Sequence, residues 1–431
     1  MNLLGWKARV RGKVSFNNMT RKLLLCTSCL LASTVSAQYR TRTEAIEAQR
    51  RDRQARLWPE RESPLVEAVN NLVERGLYDG ARSGKGANGA QFVLGGTRSG
   101  QGMSVGVGYR RTDFWQERLG VRATARITPQ LAYMFDAEVD FQSLETERLF
   151  VDFYTKYEYS PQMDFYGQGG DSNLENLSSY LYEDLTADFR FGYNIREWLR
   201  LGGTIGAVDV HTGPGKRSGV PSLDEVFTPE QAPGFGMDTW YSRWGGFIEV
   251  DYRDLPGGPR SGGYYSSTIR QYEDEGLDTF NFTQIVFEIQ QYIPYFNKNR
   301  VIAFRLLAEI TSEDEGSPVI PFYLQPKLGG NDDLRSFQRY RFYDNQAIIA
   351  SVEHRWYASS VLDMAIFADA GKVAPNLRDV DFSELEWSAG IGFRFKAQDA
   401  YVMRIDFAAG REGFRWMWTF SDIFKTKWGI Y

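Results

Sequence analysis

The sequence contains few of the residues on which disulfide-bonded domains and many hydrolases depend. Its 431 residues include two Cys, Cys26 and Cys29, and two His, His211 and His354. Because both Cys lie within the first 30 residues, the rest of the chain can form neither an internal disulfide nor a Cys-ligated zinc site. His211 begins a long connection and His354 falls on the apolar side of its strand, and neither has a clear Ser or Asp partner. We therefore expect no enzyme activity, no metal site and no cofactor.

Long apolar segments are also absent from the sequence. No run approaches the roughly 18 residues that a membrane-spanning helix requires, and the mean hydropathy is −0.42. A bundle of membrane helices is therefore excluded. A transmembrane β-barrel requires an apolar residue only at every second position, so it can cross lipid while remaining polar on average. An aromatic content of 15% suits such a barrel, whose aromatic residues concentrate at the two membrane interfaces.

Apolar and charged residues alternate with a period of two through much of the chain. In residues 385–396, Trp387 and Phe393 share one face of a strand, whereas Glu386 and Arg394 share the other. The same pattern recurs in residues 149–159, 302–311 and 401–408. Successive side chains of a strand point to opposite faces, so each run gathers its charges on one surface. A soluble antiparallel sandwich also alternates, but the many long runs and the abundant Trp and Tyr favour an outer-membrane barrel.

The predicted fold is an all-β, up-and-down antiparallel transmembrane barrel of sixteen strands, preceded by a short helical segment. Seventeen segments fit strands, whereas a closed bacterial barrel of this type has an even number. The extra segment is expected to be either 89–98, as a lead-in, or the short 163–168. The long connections 210–235 and 312–345 are expected outside the cell, because periplasmic turns are short. The seventeen segments are 89–98, 101–112, 117–127, 130–142, 147–159, 163–168, 178–193, 197–209, 236–253, 262–273, 279–293, 299–311, 346–358, 361–371, 385–397, 399–410 and 413–424.

The first 37 residues have the organisation of a cleaved export signal. Arg21 and Lys22 precede a short apolar region that ends in the small-x-small cleavage site Val35-Ser36-Ala37. Translation can start at Met1 or at Met19. Cleavage after residue 37 removes six Lys or Arg and no acid, which takes the formal net charge from −5 to −11 and disfavours a nucleic-acid partner. With the barrel, this signal predicts the outer membrane of a Gram-negative bacterium.

Residues 38–88 form the predicted N-terminal segment, and the barrel is expected to occupy residues 89–431. Ser63 as the N-cap and Pro64 in the first turn predict a short helix that ends near Gly76. This helix can lie in the barrel lumen or at the periplasmic rim, or it can be a linker without a function. About fifty residues are too few for a folded periplasmic domain of ordinary size.

Three motifs follow one another in the C-terminal part of the chain. They are Leu328-Gly329-Gly330, Leu334-Arg335-Ser336-Phe337 and Phe367-Ala368-Asp369-Ala370-Gly371. In this order, before an aromatic last strand, they resemble the BamA/TamA outer-membrane assembly superfamily, also called the bacterial surface antigen family. The resemblance covers roughly residues 89–424, is to members without POTRA domains, and implies a 16-stranded barrel whose sixth extracellular loop folds into the lumen. Ser336 departs from the family pattern, which usually has Gly there.

The predicted site is a clasp between the long loop and the lumen wall. Alternation along 361–371 places Asp369 in the lumen, and Glu353 is inward by the same rule. If the loop enters the lumen, the guanidinium of Arg335 would meet the carboxylate of Asp369, which can accept two parallel hydrogen bonds. The alternative is that Arg335 and Asp369 are unrelated charges of the loop and the lumen. The predicted clasp residues are Arg335, Phe337, Glu353 and Asp369; the motif glycines are Gly329, Gly330 and Gly371; and the aromatic signal of the last strand is Phe414, Trp416, Trp418, Phe420 and Phe424, with Tyr431 as the alternative end.

Two functions are consistent with the sequence. The resemblance implies a barrel that assembles or inserts outer-membrane proteins, or translocates polypeptide or lipid, through a weakly paired seam between its first and last strands. An exposed strand edge is a template for pairing with a client strand. The alternative is a passive surface barrel or plugged pore. The expected partners are outer-membrane lipid and lipopolysaccharide, with a client polypeptide or a separate periplasmic protein, and one chain is long enough to close its own barrel.

Overall fold

Sixteen antiparallel strands form one sheet that curls into a nearly closed barrel. The computed structural model describes residues 88–95, 102–115, 118–142, 148–296, 298–380, 384–397, 400–420 and 424. Each barrel strand pairs with the barrel strands before and after it along the chain, so the topology is up-and-down and the predicted fold is confirmed. The barrel strands are β1 (Gly89–Gly95), β2 (Ser104–Phe114), β3 (Leu119–Ile127), β4 (Tyr133–Gln142), β5 (Leu149–Phe165), β6 (Ser178–Arg196), β7 (Leu199–Pro214), β8 (Thr239–Asp251), β9 (Gly262–Asp274), β10 (Phe282–Tyr295), β11 (Arg300–Glu313), β14 (Gln346–Ser359), β15 (Leu362–Ala374), β16 (Glu386–Ala397), β17 (Ala400–Gly410) and β18 (Gly413–Thr419).

The two ends of the barrel differ in the length of their connections. The connections 215–238 and 314–345 lie at the same end, which we call the loop end, and the opposite end is called the turn end. The connection 314–345 contains the short strands β12 (Lys327–Leu328) and β13 (Phe342–Tyr343), which pair with each other. The connection 215–238 contains one turn of α-helix, Leu223–Val226. In the part of the chain that the structure describes, no helix has the length and apolar character needed to span a membrane.

Strand β15 illustrates how the alternating sequence is used. Asp363, Phe367 and Asp369 are buried in the lumen, whereas Ile366 and Ala368 are exposed on the outer face. Acids are therefore inside and apolar groups are outside, which is the reverse of a soluble protein. Lipid against the outer face and a polar lumen account for this inversion.

The structure identifies the extra segment among the seventeen predicted strands. Residues 163–168 do not form a separate strand, because β5 continues to Phe165. The pairing of β5 with β6 shifts register between Ser160 and Met163, around Pro161. Proline cannot donate to the strand ladder, and it is tolerated at such an irregularity. The other suspect, 89–98, contains a true barrel strand, β1 (Gly89–Gly95), and residues 96–98 lie outside the described part of the chain.

The last strand is shorter than predicted. It ends at Thr419 rather than at residue 424. Phe414, Trp416 and Trp418 are exposed on its outer face. Phe424 lies beyond the strand and is buried, so its inclusion in the aromatic signal of the last strand is wrong.

The connection 314–345 folds into the barrel. Leu334 and Phe337 are buried in an apolar cluster with wall residues of β10, β11, β14 and β15. A second cluster at the loop end packs Phe322 and Tyr343 of this connection against Phe165 of β5. These two clusters hold the connection inside the wall, and they position the polar site that lies between β14 and β17.

Two predictions concern parts of the chain outside the described residues. The export signal 1–37 is one, and the helix predicted after Ser63 is the other. Both remain predictions from the sequence.

Candidate functional site

The connection 314–345 presents Arg335 from a tight turn. The backbone amides of Phe337 and Gly330 both donate to the carbonyl of Leu334, at 3.1 and 3.2 Å. Gly329 and Gly330 have φ angles of +110° and +106°, in a region that other residues rarely adopt. The two motif glycines therefore shape the turn that carries Arg335.

Arg335 is completely buried and reaches two acids of the wall. Its Nε and Nη2 donate to the two carboxylate oxygens of Asp369 on β15, at 2.8 and 2.7 Å. Its Nη1 donates to Oε1 of Glu353 on β14 at 2.5 Å. A bidentate guanidinium–carboxylate pair of this kind fixes orientation as well as position. The clasp is thus a hydrogen-bonded contact between the loop and two neighbouring strands.

Further charged residues of the wall surround this contact. Glu353 also accepts hydrogen bonds from Arg394 of β16 and from Arg355 of its own strand, both at 2.7 Å. Asp406 of β17 accepts from Arg394 at 2.6 Å and from Arg404 at 2.8 Å. The three guanidiniums and the acids form one network across the adjacent strands β14, β15, β16 and β17. Each buried charge therefore has a partner of opposite sign, as burial requires.

The loop contributes an acid to this network as well as a base. Arg404 donates to the carboxylate of Asp332 at 2.9 Å and to the carbonyl of Asn331 at 2.5 Å. The loop therefore brings one positive charge, on Arg335, and one negative charge, on Asp332.

An aromatic ring supports the Arg335 guanidinium. The Cζ atom of Arg335 lies 3.3 Å from the centre of the Phe367 ring, which gives a cation–π contact. Gly390 pairs with Phe367 in the sheet, and a Cβ atom on Gly390 would lie 2.7 Å from the ring. The absence of a side chain at Gly390 therefore makes room for the ring.

Ser336 also bonds to the wall. Its backbone amide donates to Oγ of Ser388 on β16 at 3.0 Å, and the two hydroxyl oxygens are 2.8 Å apart. Ser336 is not among the described residues with a positive φ, so the turn accepts a residue with a side chain. A Cβ atom on Gly410 of β17 would collide with the Ser336 hydroxyl. Ser388 therefore bonds to Ser336, and Gly410 leaves room for the Ser336 hydroxyl.

The Omp85 superfamily domain matches residues 89–413, which is well over half of the chain. The chain belongs to the Omp85 superfamily. A comparison of this Omp85 chain with curated proteins finds no match.

Two solved structures are similar to this Omp85 barrel. One is BamA from Haemophilus ducreyi lacking POTRA domains 1–3, with a TM-score of 0.57 and 16% identity, covering 83% of this chain and 78% of BamA. The other is CdiB from Escherichia coli, with a TM-score of 0.51 and 13% identity, covering 75% of this chain and 60% of CdiB. At these identities the likeness concerns the fold. The predicted resemblance to the BamA/TamA superfamily is confirmed, and the described residues of this chain form no POTRA domain.

Other residues predicted for the site lie around the Omp85 loop rather than among its charges. Phe337 is buried in the apolar cluster, with its ring centre 5.3 Å from that of Phe342. A Cβ atom on Gly371 would lie 3.2 Å from Cδ1 of Leu328, so this glycine faces the loop where Leu328 meets the wall. Phe420 follows the last strand and contacts Trp418. Phe337 and Gly371 therefore support the loop, whereas the described contact of Phe420 is with the last strand.

Sequence reasoning did not assign Arg394, Arg404 and Asp406 to the site. The signal was present, because alternation places all three on the charged face of β16 and β17. Arg394 pairs with Arg404 in the sheet, and Gly392 pairs with Asp406. Aligning the inward residues of neighbouring strands at the height of Asp369 would have found them.

The expectation that neither His has a Ser or Asp partner is wrong for His211. His211 Nδ1 contacts the carboxylate of Asp238 at the loop end, and both side chains are exposed. His354 Nε2 contacts the hydroxyl of Tyr295, on the outer face of the barrel. Neither His contacts a Ser hydroxyl in the hydrogen bonds of the described residues.

Proposed function

We propose that this Omp85 barrel inserts or translocates polypeptide at the outer membrane by opening the seam between β1 and β18. The observation that carries the proposal is the strand order. The ladder of paired strands starts at β1 and ends at β18, and within the described residues no register joins these two strands. An unpaired strand edge in a barrel is a template on which a client strand can pair.

The lengths of the edge strands support this proposal. β1 and β18 have seven residues each, whereas the other barrel strands have nine to nineteen. Fewer residues mean that fewer backbone hydrogen bonds could join these two edges to each other. The apolar outer face of β18, with Trp416 at its centre, would lie against lipid.

Contacts between the loop and the last strand support a controlled seam. Asn331 donates to the hydroxyl of Thr419 at 3.1 Å, and Arg415 donates to the carbonyl of Phe337. The same loop carries Arg335, which is bonded to β14 and β15. The loop thus ties β18 to β14 and β15 on its own side of the seam, and its release would loosen this edge.

The partners follow from the same surfaces. The outer face would contact outer-membrane lipid and lipopolysaccharide, with the loop end facing the outside of a Gram-negative cell. A client polypeptide would pair at the seam, delivered by a separate periplasmic protein. The charges of the lumen clasp hold the loop in place and bond to one another, so they serve positioning, and we propose no enzyme activity for this barrel.

A covalent lock of the seam tests the proposal. Cysteine pairs would join β1 to β18 through their outward positions, with Phe92→Cys combined in turn with Phe414→Cys, Trp416→Cys or Trp418→Cys. The barrel would be reconstituted in vesicles, and the folding of an added outer-membrane protein would be followed by its resistance to protease. We expect oxidation to abolish insertion and reduction to restore it.

The matched control locks strands that are already paired. Ala137 and Thr155 face each other on β4 and β5, so Ala137→Cys with Thr155→Cys adds a cross-link without touching the seam. This control should keep full activity when oxidised. If the barrel accelerates insertion equally with the seam locked and open, or does not accelerate it at all, the passive barrel is the better description.

A further inference from the structure

The connection between β8 and β9 crosses the mouth of the barrel at the turn end. We call residues 252–261 the strap. The carbonyl of Gly257 in the strap accepts a hydrogen bond from the backbone amide of Tyr401 on β17, at 2.9 Å. Five barrel strands, β10, β11, β14, β15 and β16, separate β9 from β17 in the sheet. A contact between such distant strands requires the strap to span the opening rather than follow the rim.

A charged pair anchors the strap on the far wall. Arg260 of the strap donates from Nη2 to the carboxylate of Asp363 on β15 at 2.6 Å. Asp363 also accepts from Lys396 at 2.8 Å and from the hydroxyl of Tyr401 at 2.9 Å. The Asp363 side chain is 1% exposed and that of Arg260 is 22% exposed. The acid therefore belongs to the lumen wall, whereas the guanidinium reaches it from the edge of the solvent.

The strap has a defined shape of its own. Asp254 accepts the backbone amides of Arg260 and Ser261 at 2.9 and 3.0 Å, and the ammonium of Lys298 at 2.9 Å. Burial by itself raises the pKa of Asp254, but these donors lower it to about 2. Gly258 and Pro259 at the tip are buried. The strap is thus a preformed turn inserted into the mouth.

A second group enters the same mouth from the C-terminal side. Phe424 follows the last strand and is buried beside Tyr292 and Val301 of β10 and β11. Its carbonyl accepts a hydrogen bond from Nε2 of Gln290 at 2.9 Å. The guanidinium of Arg355 lies 5.1 Å from the centre of its ring. These wall residues point into the lumen, so Phe424 lies inside the barrel.

We propose that the strap and Phe424 together form a seal that closes the turn end of the lumen to ions, and that the Arg260–Asp363 pair is its latch. The strap blocks the opening from the β8–β9 side, and Phe424 fills the space beside β10 and β11. The guanidinium of Arg260 and the backbone hydrogen bond from Tyr401 hold the strap on the far wall. Because Arg260 borders solvent, these contacts can break without unfolding the wall.

Conductance of the purified barrel in a planar lipid bilayer tests the seal. We expect the wild type to be closed most of the time. Arg260→Ala should increase the fraction of time spent open by about tenfold, the factor that corresponds to 1.4 kcal/mol. Phe424→Ala should also increase it, and the double substitution should conduct most. The control is Arg300→Ala, because Arg300 lies at the same end but on the exposed outer face, and its conductance should equal that of the wild type.

A covalent latch separates loss of the seal from loss of folding. Arg260→Cys with Asp363→Cys, made in a Cys26→Ser/Cys29→Ser background, should conduct like Arg260→Ala until a short thiol-reactive bridge joins the two positions. Bridging should then restore the closed state, and all samples would first be shown to be folded by their heat-dependent migration in gels. Wild-type conductance in both Arg260→Ala and Phe424→Ala, or no effect of the bridge, would overturn the proposal. The experiment measures ion flow, so its result tests the seal independently of whether the barrel inserts polypeptides.

Discussion

Arg335 of the loop donates two parallel hydrogen bonds to the two oxygens of Asp369, at 2.8 and 2.7 Å, with both side chains fully buried. Glu353, the other acid that Arg335 reaches, is shared with Arg355 and Arg394. Glu353 would therefore keep two guanidiniums if the loop left the lumen. Asp369 would lose the guanidinium that neutralises it, so the cost of undocking is concentrated at this carboxylate.

Arg335→Ala should therefore destabilise the folded barrel by about 3–5 kcal/mol, because it leaves a buried carboxylate without its counter-charge. The double substitution Arg335→Ala/Asp369→Asn should cost less than the sum of the two single substitutions, since neither charge remains. The urea concentration at the unfolding midpoint in lipid vesicles measures all three variants. Arg111→Ala is the control, because Arg111 forms an exposed pair with Asp113, and its midpoint should not change. Strict additivity would show that the two residues act separately.

The two serines should differ in their contribution. Ser388→Ala removes the acceptor of the Ser336 backbone amide, which is left buried and unsatisfied, at a cost of about 1–3 kcal/mol. Ser336→Ala removes only a hydroxyl pair and should cost about 1 kcal/mol. The order of the unfolding midpoints is the test. A larger effect of Ser336→Ala would contradict the assignment of Ser388 as the acceptor.

Arg341 should control the exposure of the loop to protease. It donates to Glu412 at 2.7 Å and to the hydroxyl of Ser172 at 2.6 Å, so it joins the loop to two other connections at the loop end. Arg341→Ala should speed cleavage of the folded barrel by trypsin after Lys327 or Arg339. Arg378→Ala is the matched control, because Arg378 lies in a different connection at the same end. Equal cleavage rates in both variants would rule out a bracing role for Arg341.

Asp344 should make the stability of the loop end depend on pH. Burial raises the pKa of Asp344 to about 6, and Asp379 adds to the rise, although the amide of Asn345 opposes it. The folded state therefore holds this proton more tightly than the unfolded chain, whose pKa is about 3.9. Stability from this group is fully present below about pH 4 and falls as the pH rises through 6.

The variant Asp344→Asn removes this dependence. It should raise the unfolding midpoint at pH 7.5 and leave it nearly unchanged at about pH 3, where the wild-type group is largely protonated in both states. Asp379→Asn should give a smaller change in the same direction, because Asp379 only adds to the effect of burial. An Asp344→Asn midpoint that rises equally at both pH values would point to packing rather than charge.

The architecture was predictable because the alternating pattern is local. Asp363, Phe367 and Asp369 could be placed inward from the period of two alone. The predicted number of sixteen strands is confirmed, and the seventeenth candidate segment, 163–168, has an equally local explanation. Pro161 interrupts the pattern, and only the partner strand β6 shows that β5 continues through the register shift.

The loop and the turn end were less predictable because their contacts join residues far apart in sequence. Family resemblance pointed to Arg335 and Asp369, but the alternation could not bring Arg404 of β17 to Asp332 of the loop. The burial of Phe424 in the lumen could not be predicted either, since an aromatic residue near the end of a barrel suits a lipid-facing strand equally well. Its burial depends on Tyr292 and Arg355, which alternation places inward without showing what they contact.

The difference in strand length around the barrel has a consequence for the surrounding bilayer. A seven-residue strand such as β1 or β18 reaches about 24 Å at roughly 3.4 Å per residue, whereas the hydrocarbon core is about 30 Å thick. β6, with nineteen residues, exceeds that thickness. Lipid on one side of the molecule would then be compressed while lipid on the other side is not. A change in the acyl-chain length of the lipid would therefore change the hydrophobic mismatch mainly on one side of the protein, and most beside its two shortest strands.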